Sequence, residues 1–242
     1  MAITFELVNS VNVGPRVNSI SLEYNGPLAE NEILAAFFYS DNAAGQVGTT
    51  NGVTFATAGT TNTDVMAVAA YMTDPGIITI TYTSTIQQLG WLYKVTGVNP
   101  QDPIGPVGVA RNNTSGLTLI IEPSTEQVQG SFMMASTDGN DTEFALDEVD
   151  GWTTLQRDYG PASILGNGTY ALLGYNPSPG NVATCRIVNE IANDGSSGIQ
   201  FSFKEGSAGP AFASRDGVDS ANIASIDGVP VGNIASVDGV PA

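Results

Sequence analysis

One short stretch, Asp138-Gly139-Asn140-Asp141-Thr142-Glu143, sets three carboxylates and an amide around a glycine. Hard oxygen ligands at such close spacing suit Ca²⁺. Asp138, Asn140, Asp141 and Glu143 are therefore the candidate metal ligands, and calcium is the one cofactor the sequence invites. The spacing is not that of an EF-hand, whose loop is longer and ends in Glu. A solvated hairpin turn accounts for the same residues. Asp147, Glu148 and Asp150 extend the acidity just downstream, as further ligands or as a second acidic loop.

Catalytic chemistry finds less to work with. The 242 residues include no histidine, which removes Ser-His and Cys-His nucleophile pairs and His-based metal sites. A carboxylate pair of the glycosidase kind remains available, but among 24 acidic residues nothing singles out one pair. The sequence therefore reads as that of a non-enzyme. Cys185, in VATCRIV, reads as a buried apolar thiol. Trp91 and Trp152 fall at strand positions and read as core. Tyr39, Tyr71, Tyr159 and Tyr175 fall at strand ends, where an aromatic face can stack on a sugar, and are candidates for a binding rim. Tyr159 and Tyr175 are the candidate glycan-binding rim.

The elements that must carry these residues are strands. Charged residues are only 13% of the chain, and 28 glycines and 13 prolines accompany many Thr, Ser and Asn. That mixture favours strands joined by turns over helices. With 24 acidic against 7 basic residues the net charge is −17, which argues against nucleic acid as a partner. No apolar run reaches the ~18 residues of a membrane span. The start, MAITFELVNS, lacks the basic and apolar regions of a secretory signal, so synthesis and retention in a cytoplasm are expected.

Taken in order, Ile3–Val8 and Val17–Tyr24 alternate as strands, and Ile33–Tyr39 is an apolar run suited to a central strand. Short strands follow at Gly52–Phe55, Asp64–Tyr71, Ile77–Tyr82 and Gln88–Val98. A short helix is the alternative at Ala29–Leu34. Asn99–Gly108, with three prolines and no periodicity, reads as a connection. The pattern then restarts. Leu117–Glu122 takes the role of Ile20–Glu23, Gly130–Ala135 that of Leu34–Tyr39, and Tyr170–Tyr175 that of Ala67–Tyr71. Val182–Val188 echoes Ile77–Tyr82, and Ile199–Lys204 echoes Leu89–Lys94. The offset grows steadily: 97 from Asp41 to Asp138, 99 from Gly52 to Gly151, 104 from Tyr71 to Tyr175 and 110 from Lys94 to Lys204. Loop insertion into one of two copies produces such a drift. The expected fold is all-β, an antiparallel jelly-roll-like sandwich built from two similar halves that cover each other. The halves are about 1–98 and 109–205, within a domain of 1–205.

From Ala213 the chain changes character. ASRDGVDSANI, ASIDGVPVGNI and ASVDGVPA form an 11-residue repeat, with Asp216, Asp227 and Asp238 each followed by glycine. Each unit reads strand, Asp-Gly turn, strand. Residues 206–242 are thus a linker and a β-repeat tail. Ile223, Ile226, Val229, Ile234, Val237 and Val240 are its candidate attachment residues.

The unit IASIDGVPVGNIASVDGVP resembles the "I-x-S-I/V-D/N-G-V" repeats of tailed-bacteriophage structural proteins. The preceding region resembles a jelly-roll-like module of phage surface proteins, through ILAAFF, Gly151-Trp152-Thr153 and Lys94–Ile104 (KVTGVNPQDPI). The first half departs from that pattern with Val53 where the Trp would stand. The resemblance implies a virion surface protein, a capsid decoration protein or head fibre, assembled in a bacterial cytoplasm. Its expected partners are itself, as a homo-oligomer, and other virion proteins, chiefly the capsid shell. It implies no catalytic residues. The competing reading is a tail-associated adhesin module that binds a host-surface glycan or receptor.

Overall fold

The computed structural model describes residues 2–41, 47–59, 65–112, 118–121, 131–140, 145–147, 153–159, 167–176, 183–188 and 196–206, and six two-residue strands within 214–241. The described residues are all-β, with every strand pairing antiparallel and no helix among them.

The first sheet contains β1 (Thr4–Tyr24), β2 (Glu32–Asp41), β3 (Val47–Thr50), β4 (Val53–Gly59), β5 (Val65–Met72) and β6 (Gly76–Thr96). Its order is β1-β6-β2-β5-β4, with β3 also beside β6. Two strands expected near the N-terminus are here one, β1, and two expected between Gly76 and Thr96 are likewise one, β6. The long pair has two arms. Thr4–Val13 runs against Gln88–Thr96, and Ser19–Tyr24 against Gly76–Thr81. Between them, where Gly14 and Pro15 stand, the ladder slips from Val13 to Val17 and again before Ser19. Proline there removes a donor, and the slip lets one ribbon serve two layers.

β2 explains why it must. From Ile33 to Tyr39 every side chain is 0% exposed, so the strand is buried on both faces. Ile33, Ala35, Phe37 and Tyr39 face one core with Trp91, Tyr93 and Val95 of β6. Leu34, Ala36 and Phe38 face another, formed with Val68, Ala70 and Leu92 and with Ile20, Leu22, Ile78 and Ile80. The last four belong to the other arm of the β1–β6 ribbon, which therefore lies over the outer face of its own sheet. The layers approach so closely at Gly90 that a Cβ there would stand 3.1 Å from Phe38 and 3.2 Å from both Ile20 and Leu22. Alanines opposite large rings let the two faces of β2 interdigitate at normal packing density.

The second set of strands comprises β7 (Ile104–Asn112), β8 (Thr118–Ile121), β9 (Ser131–Asn140), β10 (Ala145–Asp147), β11 (Thr153–Tyr159), β12 (Asn167–Asn176), β13 (Ala183–Val188) and β14 (Ser196–Phe203). They form a five-stranded sheet, β11-β12-β9-β14-β7, and a three-stranded one, β10-β13-β8. Ala171 and Leu173 of β12 and Ile199 and Phe203 of β14 complete the core under Phe37 and Trp91, so the two larger sheets face each other. The tail hairpins are β15 (Ser214–Arg215) with β16 (Val218–Asp219), β17 (Ser225–Ile226) with β18 (Val229–Pro230), and β19 (Ser236–Val237) with β20 (Val240–Pro241).

Two expectations are corrected. Ala29–Leu34 is a turn leading into β2 rather than a short helix. The Glu32 amide donates to the Ala29 carbonyl at 3.1 Å, and the Glu32 carboxylate accepts from the Ala29 amide at 2.8 Å. The connection between the halves also ends earlier than Gly108, because β7 begins at Ile104. Pro106 gives this segment a linker signature in the sequence. It sits on an edge strand where the register slips between the partners Phe203 and Phe201, one of the few places a sheet accepts proline.

What remains of the connection is bonded at both ends. The Asn99 amide donates to the Lys204 carbonyl at 2.9 Å, the Lys204 amide to Pro103 at 2.8 Å, and the Gly206 amide to Gly97 at 2.8 Å. Val98 and Glu205 form an antiparallel bridge. Gly97 is required there: its φ is +86°, and a Cβ would run into the Ala2 carbonyl.

Trp91→Ala is expected to destabilise the protein by about 3–5 kcal/mol, since the ring is fully enclosed, whereas Ile77→Ser, at a position 42% exposed, should fall within about 0.5 kcal/mol of the parent. Urea unfolding of both variants checks this pair.

Candidate functional site

The acidic stretch begins at the end of the β9–β12 pair. Asp138 lies opposite Thr169 and Asn140 opposite Asn167. Asp141 and Glu143 lie outside the described residues, as do Glu148 and Asp150, while Asp147 pairs with Arg186 in β10–β13. Among the described residues no three His, Cys, Asp or Glu side chains gather as metal ligands.

The tyrosines separate. Tyr39 is 0% exposed and belongs to the inner core, which corrects its assignment to a binding rim; its place at the end of an apolar run concealed that both faces of β2 are covered. Tyr71 is partly buried against the same core. Tyr175 pairs with Thr153 and Tyr159 with Tyr170, at opposite ends of the β11–β12 ladder. Six residues of strand separate those rungs, about 20 Å at ~3.3 Å per residue. Tyr175 instead joins an aromatic group between the sheets. Its ring centroid is 4.7 Å from Phe5, and Phe5 is 5.7 Å from Phe203 and 6.4 Å from Tyr93. Burial raises the Tyr175 pKa, and the nearby Glu205 charge raises it further, so the phenol stays neutral. Trp91 is core as expected. Trp152 lies outside the described residues, and Cys185 is placed on β13 opposite Leu119.

Of the attachment residues, Ile226 pairs with Val229 and Val237 with Val240, while Ile223 and Ile234 lie outside the described residues. No strand of the three tail hairpins pairs with the larger sheets among the described residues.

The polar contacts that the sequence did not reveal join strands to one another and to the turns beside them. Lys94 Nζ meets Glu6 Oε2 at 2.7 Å, and Lys204 Nζ meets Asp102 Oδ2 at 2.5 Å. Asn51 substitutes for a strand: its side chain donates to the Ile77 carbonyl at 2.5 Å and accepts from the Thr79 amide at 2.6 Å. Glu32 accepts from the Ala29 amide and from the Thr96 hydroxyl at 3.0 Å. These are positioning contacts; only register, which single-sequence periodicity does not supply, brings the partners together. The bond from the Ala29 amide chiefly holds the Glu32 pKa below its ordinary value, with Thr96 and Lys94 adding to it against partial burial.

A carboxylate with a depressed folded pKa contributes stability above the unfolded value of about 4.5 and loses it as pH falls through the folded one. Glu32→Gln should therefore be less stable than the parent at pH 7, and the gap should close as the pH falls through 4.5 and below. Denaturant midpoints of both proteins across that range test it, and a gap that does not change with pH would refute it. No protein-family model, curated protein or solved structure matches the chain.

Proposed function

We propose that this chain is a non-enzymatic structural protein that decorates the surface of a tailed-phage capsid, or builds its head fibre, as a homo-oligomer. The observation that carries the reading is the tandem array of Asp-Gly hairpins after a closed β body. Each hairpin joins only two residues to two across its turn. At about 25 cal/mol per Å² of apolar surface, so small a unit does not offset ordering costs of ~1–2 kcal/mol per residue. The array therefore acts by packing on a neighbour, another copy or the particle itself.

The hairpins also favour one edge. A two-residue turn makes Ile226 and Val229 the hydrogen-bonded pair, so at the next rung Ser225 and Pro230 direct their backbone groups outwards. Pro230 has no amide hydrogen to offer, and Pro241 repeats the block opposite Ser236. The open edges are those of β17 and β19, where a partner strand can add.

The proposed body is a duplicated jelly roll. In strand order, β7-β14-β9-β12-β11 repeats the sequence formed by the first arm of β1, the second arm of β6, β2, β5 and β4. Likewise β8-β13-β10 repeats the second arm of β1, the first arm of β6 and β3. Counting each arm as a strand, both halves run 1-8-3-6-5 in one sheet and 2-7-4 in the other, a wrapped-hairpin order with strand 5 beside strand 6. The same bulge supports the match: β4–β5 slips between Thr54 and Ala56, and β11–β12 between Thr154 and Gln156. The registers shift two sequence alignments. Val53 faces Tyr71 as Thr153 faces Tyr175, so Val53 corresponds to Thr153. Phe201 faces Phe132 as Tyr93 faces Ala35, so Lys94 corresponds to Ser202 rather than Lys204.

The glycan-binding alternative ranks second because Tyr39, Tyr82, Trp91 and Tyr93 are buried and Tyr175 packs on Phe5. Truncation after Gly206, which keeps the bond to Gly97, is expected to leave circular dichroism unchanged while abolishing self-association and binding to purified particles. A truncated protein that retains both would make the tail dispensable, and absence of the chain from virions by mass spectrometry would end the reading.

A further inference from the structure

The outer core ends in polar groups, although its other members are apolar. Ser40 of β2 lies directly opposite Gln88 of β6 on the face that carries Phe38 and Leu34. Tyr82, from the other arm of β6, belongs to the same cluster, and its phenol lies beside the Ser40 hydroxyl. Ser40, Tyr82 and Gln88 are 0%, 2% and 3% exposed. The Gln88 amide nitrogen is committed: it donates to the Val17 carbonyl at 2.8 Å, across the crease where the β1 ladder slips. Among the described residues Gln88 Oε1 has no hydrogen-bond partner, and the Ser40 and Tyr82 hydroxyls, although close enough to influence each other, make no bond of full hydrogen-bond geometry. Buried polar atoms without partners are rare in native proteins, because each has lost its hydration and gained nothing in return.

We propose that these three oxygens bind one internal water molecule at the crease of the β1–β6 ribbon. Its donor and acceptor balance fits. Gln88 Oε1 only accepts, so the water donates one hydrogen to it. The two hydroxyls each accept or donate, and so take the second hydrogen and one lone pair. Three bonds is the usual complement of a buried water. A cation is the poorer occupant, because all three ligands are neutral and an enclosed unpaired charge is costly. The site ties together β2, both arms of β6 and, through the Gln88 amide, β1.

Tyr82→Phe and Ser40→Ala in the full chain decide the matter, with water–protein nuclear Overhauser effects from the Gln88 side-chain amide as an independent readout. A bound water makes each hydroxyl useful, so each variant should lower the folded-to-unfolded ratio about fivefold. The parent should also show a long-lived water signal at Gln88. A Tyr82→Phe variant as stable as the parent or more so would overturn the proposal, as would Gln88 amide protons without any contact to water.

Discussion

Between Ile33 and Ser40 no side chain of β2 has measurable exposure, so this strand has to be covered twice. One cover comes from its own half, as the β1–β6 ribbon bends back with Ile20, Leu22, Ile78 and Ile80. The other comes from the second half, through Ala171, Leu173, Ile199 and Phe203. At roughly 1.5–3 kcal/mol for each large apolar side chain enclosed, losing either cover would remove an amount comparable to a typical net stability of ~5–15 kcal/mol. The bulges, the Gly90 contact and the stitched connection at Val98–Glu205 all follow from holding those covers in place.

Charge contributes little to this. The net charge of −17 spreads over a surface on which the ion pairs Glu6–Lys94 and Asp102–Lys204 are solvent-exposed on at least one side. Such pairs are each worth ~0–1 kcal/mol. Copies of so acidic a body repel one another. In the proposed role, association therefore falls to backbone pairing and to the apolar Ile and Val positions of the tail. The carboxylates keep the bodies apart and soluble.

The central strand was legible because double burial writes itself as an unbroken apolar run, Ile33–Tyr39. The same fact hid the fate of Tyr39, since a run ending in an amphipathic ring looks like a strand emerging into solvent. β7 was hard to read because Pro106 and Gly105 carry a linker signature, and only the slip opposite Phe203 shows that an edge strand tolerates them. Gly14-Pro15 likewise split β1 into two strands on paper, though the chain there bends without ending. Cross-strand groups such as Glu6–Lys94 and Ser40–Gln88–Tyr82 depend on register, which periodicity does not encode. The acidic stretch was legible only as composition, with Asp138 and Asn140 placed on β9 and Asp141 and Glu143 outside the described residues.

The central claim is that the two halves share one core and stand or fall together. Differential scanning calorimetry of the full chain tests it most directly. The account predicts one heat-absorption peak for the body, with the calorimetric enthalpy equal to the van't Hoff enthalpy. Two resolved transitions, one for each half, would contradict it.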